Sequence, residues 1–198
     1  GVVGEVTNKE PVIIPVENTT TGFKDVDDAK WAEKAINSLV EKGVVSGYPD
    51  NTFRPYENIT REQIVKIICV ALGVESDKNY EEKFADADYG EWYAPYINAA
   101  YKNGISMGRE DKTFGIGEGV TRQDLLVMLY RITKDKKDIE EKEFNDKDDI
   151  ADYAKDAVMY FASQGIVSGY EDKTFRPMNI CTRAEAVMII YNYLGGVE

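Results

Sequence analysis

Apolar residues recur along the chain in six runs of helical spacing, arranged as three pairs. In the first run, from Trp31 to Lys42, Ala32, Ala35, Ile36, Leu39 and Val40 fall at positions i, i+3, i+4, i+7 and i+8, the pattern of one buried helical face. Its counterparts carry Tyr93, Tyr96, Ile97, Ala100 and Tyr101, then Ala154, Ala157, Val158, Phe161 and Ala162. The second run of the first pair ends at Leu72 and holds Ile64, Ile67, Ile68, Ala71 and Leu72. Its counterparts place Leu125, Met128, Leu129 and Ile132, then Ala186, Ile189, Ile190, Tyr193 and Leu194. Polar connectors at 75–83 and 134–143 separate the pairs and are expected to face solvent. One helix pair of about 60 residues buries too little surface to stand alone, whereas three can cover one another. The expectation is an all-α domain: three helix-loop-helix repeats packed around a pseudo-threefold axis, first helices outside.

Between the helices of each pair lies a loop that the chain writes three times, 61 residues apart. It reads GVVSGYPDNTFRPYENITREQ from Gly43, GISMGREDKTFGIGEGVTRQD from Gly104 and GIVSGYEDKTFRPMNICTRAE from Gly165. Gly43 stands where a left-handed glycine would end the first helix, Pro49-Asp50-Asn51 is turn chemistry, and Thr52-Phe53 suits a brief strand. Each loop closes on a helix start. Thr60 with Gln63 and Thr182 with Glu185 have capping-box spacing, and Thr121 with Asp124 is a shorter version. The repeats run about 23–74, 84–133 and 144–194, a single domain over 23–194. Residues 1–22 match none of them. Pro11, Pro15 and the Thr19-Thr20-Thr21 run make this a linker or tail with a short strand at Val12–Ile14. It leads from an upstream module or pairs with the domain's own surface.

Composition narrows the chemistry. Charged residues at 30 % and hydrophobic ones at 43 % fit a soluble globular domain. The net charge of −12 makes nucleic acid and anionic lipid poor partners, so an anionic ligand has to be captured by placed cations. There is no histidine, which removes His-based triads and the usual zinc sites. Cys69 and Cys181 fall at non-equivalent places and read as small buried hydrophobes rather than a disulfide. No apolar run approaches a membrane span, and no signal peptide is present. Asp146-Lys147-Asp148-Asp149 lacks EF-hand spacing, so no metal, cofactor or catalytic constellation is expected and the chain reads as a non-enzyme.

The candidate site is at the helix starts. Arg61, Arg122 and Arg183 each sit just inside a second helix, the wrong sign for the positive end of the dipole, at about 0.3–1 kcal/mol each. Keeping that choice three times points to an anion held by guanidinium and helix amides together. The bland alternative is an arginine that is solvated or paired with a carboxylate. Trp31, Trp92 and Tyr153 share one position in the first helices, as packing residues or as platforms for a sugar ring. Asp25, Asp86 and Asp146 cap the first helix or hold the neighbouring loop. Gly47, Gly108 and Gly169 suit a positive φ, and their bareness would also admit a ligand to the main chain. Ser46 and Ser168 can hydrogen-bond a ligand oxygen, whereas Met107 in repeat two can only pack.

The GY.D.TFRP…ITR.E pattern, preceded by an F.D…W segment and a helix, resembles the S-layer homology family over about Phe23–Leu194. Three tandem copies are that family's usual complement. The resemblance implies a secreted, non-covalent anchor at the Gram-positive cell wall and S-layer. Its ligand would be a peptidoglycan-linked secondary polysaccharide ending in pyruvylated N-acetylmannosamine. The alternative is a structural or protein-interaction module with no glycan ligand. The family's arginine-to-carboxylate contact carries over to Arg61, Arg122 and Arg183, and its grooves imply the pairs Arg61–Trp92, Arg122–Tyr153 and Arg183–Trp31. Only repeat three keeps TRAE intact. Repeat two replaces Tyr48 and Tyr170 with Arg109 and the Arg-Pro pairs with Gly115-Ile116, so it is expected to hold the weakest groove and Arg61 the main one.

Overall fold

The computed structural model describes residues 22–79 and 81–196. The short strand expected at Val12–Ile14 lies outside these residues. Each repeat supplies two helices: α1 (Glu33–Glu41) and α2 (Arg61–Leu72), α3 (Ala94–Lys102) and α4 (Arg122–Ile132), α5 (Lys155–Ser163) and α6 (Arg183–Tyr193). The architecture is all-α. Thr52-Phe53 forms no strand, and the extended contacts among the described residues are three isolated bridges: Asn58 with Thr182, Thr60 with Gly119, and Thr121 with Ile180.

The second helices start at their threonine caps. Thr60 accepts from Gln63 N and the Gln63 side chain accepts in return from Thr60 N, a complete capping box. Thr121 and Thr182 accept from Asp124 N and Glu185 N, each such cap contributing on the order of 1 kcal/mol. The first helices begin less cleanly. Ahead of α1 lies a 3-10 segment, Asp27–Ala32, kinked at Ala29 and without a side-chain cap. The candidate cap Asp25 is engaged elsewhere, as shown below.

Helices pair chiefly between repeats. α2 packs on α3, α4 on α5 and α6 on α1, a cyclic order. Backbone hydrogen bonds follow the same cycle. Ile59 N donates to Cys181 O (3.0 Å), Cys181 N to Val120 O (2.9 Å) and Val120 N to Ile59 O (3.0 Å). Ile64, Leu125 and Ala186 are fully buried in one continuous core with the loop phenylalanines Phe53, Phe114 and Phe175. Burying a side chain of this size stabilises by about 1.5–3 kcal/mol, so the loops are as much part of the core as the helices. Cys69 and Cys181 are free thiols inside it, and burial pushes them up to about 11 and about 12.

Candidate functional site

The site is assembled from the three loops, and an aspartate shapes each one. Asp25 accepts from Phe53 N and Arg54 N, both at 2.8 Å. Asp86 accepts from Phe114 N, Gly115 N and Ile116 N, and Asp146 from Phe175 N and Arg176 N. Of the two roles open to these residues, holding the loop is the one they perform. Within each loop Asp50, Asp111 or Asp172 accepts from the backbone and hydroxyl of the threonine two residues on. Arg54 and Arg176 adopt a positive φ of 58°, and the matching residue of repeat two is Gly115 at 90°. The positive φ expected of all three loop glycines is found at Gly108, at 73°, and not at Gly47 or Gly169. Gly47 is glycine because a Cβ there would stand 2.2 Å from the Phe23 ring and 2.9 Å from Thr52 O.

Held in this way, each Phe carbonyl receives an arginine from another repeat. Arg61 Nε donates to Phe114 O at 2.9 Å, Arg122 Nε to Phe175 O at 3.0 Å and Arg183 Nε to Phe53 O at 2.9 Å. Arg183 Nη2 also reaches Ser46 O at 3.0 Å, and Arg122 Nη2 approaches Ser168 O at 3.5 Å. All three arginines are buried, at 4–8 % exposure, and so are neither solvated nor merely decorative. Arg122 and Arg183 stand over Tyr170 and Tyr48 at 5.0 Å from the ring centroid. Among the described residues neither forms an ion pair. Arg61 does, through Nη1 to Asp124 Oδ2 at 3.1 Å. Burial lowers the Arg61 and Arg183 pKa values, opposed at Arg61 by Asp124.

The helix amides do not take part as expected. Arg61 N donates to Glu118 O, Arg122 N to Asn179 O and Arg183 N to Glu57 O; Gln123 N and Ala184 N go to Pro177 O and Pro55 O. Orphan first-turn donors need partners, and here the neighbouring loop supplies carbonyls. An anion would therefore meet guanidinium and side chains, not the helix N-terminus.

An open groove of about 430 Å³ lies beside Arg61, lined by Ser106, Gly108, Asp124, Arg131 and Tyr153 among others. It draws on all three repeats: the arginine from the first, loop and helix from the second, and the aromatic from the third. The expected partner Trp92 is not in it. It packs instead beside α2, where Lys66 Nζ lies 5.4 Å from its ring centroid. Lys66 is the register equivalent of Val127, which lines the Arg61 groove. The cyclic order thus sets Trp92 with Arg183 and the repeat-one loop. Trp31, in the segment that packs on α6, is set with Arg122. Ser46 O likewise belongs to Arg183 and not to the arginine of its own repeat. Arg61 enters the divergent loop of repeat two, where Arg109 pairs with Glu118 instead of supplying a tyrosine ring. Trp31 and Tyr153 are more than half exposed. Ser168 and Gly169 stand on the loop facing Arg122, and Gly47 on the loop facing Arg183.

Lys66, Arg131 and Asp124 were not singled out as groove residues by sequence, because a repeat-to-repeat comparison favours positions that match and these do not. Apart from Asp124, the hydrogen-bond partners of the arginines are main-chain carbonyls, which carry no side-chain signal.

The S-layer homology domain profile matches three times, over residues 22–65, 83–126 and 143–187. Exoglucanase XynX of Acetivibrio thermocellus is 34 % identical over 177 residues, covering 87 % of this chain and 16 % of that protein. An S-layer protein of Bacillus thuringiensis subsp. finitimus is 29 % identical over 181 residues, and S-layer protein sap of Bacillus anthracis is 30 % identical over 181 residues. Both alignments cover 90 % of this chain and 22 % of the relative. The chain therefore spans less than a quarter of each of these proteins. With all three repeats matched in register and the loop architecture common to them, the chain belongs to the S-layer homology domain family.

Proposed function

We propose that this chain binds a secondary cell-wall polysaccharide through a terminal pyruvylated N-acetylmannosamine, and so holds whatever it is joined to at the wall. Its coarser role is that of a cell-surface anchoring module, as family membership and the S-layer relatives indicate. The match to relatives named as enzymes falls on a small share of their length, which supports a non-catalytic part of larger proteins. The observation that carries the glycan reading is the state of Arg183. A buried guanidinium is held flat by Phe53 O and Ser46 O, its Nη1 is not engaged by any described acceptor, and Trp92 lies at the same end of α2 by register. A planar fork of this kind matches a carboxylate, and an aromatic face matches the C–H face of a pyranose.

Calorimetry with the methyl glycoside of pyruvylated N-acetylmannosamine, against the same sugar without its pyruvate, tests the reading. A charge-assisted arginine–carboxylate contact contributes roughly 1.5–3 kcal/mol, so the neutral sugar should bind at least about ten-fold more weakly. Equal affinity for the two sugars would refute carboxylate recognition. Retention of the protein on purified walls stripped of the polymer would refute the glycan anchor itself.

A further inference from the structure

The three arginines differ at one donor edge. Arg122 and Arg183 use Nε and Nη2 toward loop carbonyls, and no acceptor among the described residues takes Nη1. In Arg61 the same Nη1 holds the Asp124 carboxylate. Asp124 is itself fixed from the other side, because Tyr153 Oη donates to its Oδ1 at 2.7 Å. Both carboxylate oxygens are thus engaged inside the groove. Two departures of this chain meet here. At the position of Asp124 repeats one and three carry Gln63 and Glu185, and at the position of Tyr153 repeats one and two carry Trp31 and Trp92. A tryptophan has no hydroxyl to hold the aspartate. Glu185 lies on the helix facing Arg122 yet forms no ion pair with it among the described residues.

We infer that Asp124 is a built-in stand-in for the ligand carboxylate, closing the Arg61 groove to an anionic sugar and leaving two binding grooves, at Arg122 and Arg183. The inference rests on the glycan reading above and assigns its stoichiometry. An incoming carboxylate at Arg61 would have to displace one already bonded to guanidinium and phenol, or lie beside it as a like charge. Of the other two arginines lining the groove, Arg109 is already paired with Glu118 and Arg131 donates Nη1 to Ile105 O, so neither reproduces the buried, loop-held guanidinium of Arg122 and Arg183. The earlier expectation that Arg61 is the main site is reversed.

Calorimetric titration with the methyl glycoside of pyruvylated N-acetylmannosamine reads the number of sites directly. Two sites per chain are expected for the native sequence and three for Asp124→Gln, which copies the residue of repeat one. Asp124→Ala serves as the second variant. In both, Thr121 still caps α4 by accepting from the main-chain N of residue 124, and circular dichroism checks the fold. Three sites in the native protein, or no added site in either folded variant, would overturn the inference while leaving the glycan reading in place. No binding by any of the three proteins would overturn both.

Discussion

Removing Arg183 should cost stability before it costs binding. The guanidinium, 4 % exposed, bonds Phe53 O at 2.9 Å and Ser46 O at 3.0 Å and stacks 4.7 Å from the Phe53 ring. A hydrogen bond from a charged donor contributes about 1.5–3 kcal/mol, and the ring contact adds about 0.5–2 kcal/mol. Against this stands the desolvation of a buried cation, several kcal/mol, which the alanine variant recovers as water enters to bond the freed carbonyls. The net is a loss of about 2–4 kcal/mol. For a domain of this size each kcal/mol shifts the midpoint by roughly 2–4 °C, so Arg183→Ala should melt some 5–15 °C below the native protein. Arg122→Ala should lose less, because its second carbonyl lies at 3.5 Å, beyond a good bond. Urea denaturation gives both values. An Arg183→Ala variant within about 0.5 kcal/mol of native, or an Arg122→Ala variant that is the more damaged of the two, would refute the view that these arginines latch one repeat to the next.

Three further outcomes can be checked. Gly47→Ala should destabilise by about 1–3 kcal/mol, because the added Cβ meets Thr52 O at 2.9 Å as well as the Phe23 ring and the backbone cannot swing aside; an unchanged melting midpoint would contradict this. Asp25→Ala should lose about 2–4 kcal/mol through its two charge-assisted bonds to Phe53 N and Arg54 N, seen as a lower urea midpoint, whereas an effect below 0.5 kcal/mol would make the aspartate dispensable to the loop. Burial holds the Cys69 and Cys181 thiols neutral to about 11 and about 12, while in the unfolded chain they ionise near pH 8.5. Their contribution is therefore complete below that pH and declines above it, by up to about 1.4 kcal/mol per pH unit for each thiol. A Cys69→Ala, Cys181→Ala double variant should show a flatter decline between pH 9 and pH 11, and identical slopes would argue against buried thiols.

The helices were legible because each carries its own signals. Thr60, Gln63 and the run from Ile64 to Leu72 fix where α2 starts, which side it buries and where it stops, all within 13 residues. The grooves were not legible in the same way. Arg61, Arg122 and Arg183 were found by period, but period alone does not say whether an arginine reaches the loop of the repeat before it or after it. That choice comes from the cyclic docking of α2 on α3, α4 on α5 and α6 on α1. Once the direction is known, Tyr153 rather than Trp92 faces Arg61, and the divergent loop of repeat two becomes that arginine's partner. Asp124 looked like a weakened cap, and its short side chain is what leaves it available to Arg61 and Tyr153.

The cycle of latches has one seam unlike the other two. Arg61 to Phe114 and Arg122 to Phe175 each span 53 residues, but Arg183 to Phe53 spans 130. For a flexible chain the entropy of closing a loop grows with the logarithm of its length, and this difference amounts to about 0.8 kcal/mol. All three seams share the Nε-to-carbonyl bond, so this span sets the third apart kinetically, beyond its differences in side-chain contact. The two local seams can form by zippering along the chain, whereas the third waits for the ends of the ring to meet. It is therefore expected to be the last to close during folding, and Arg183 and Ser46 stand at it.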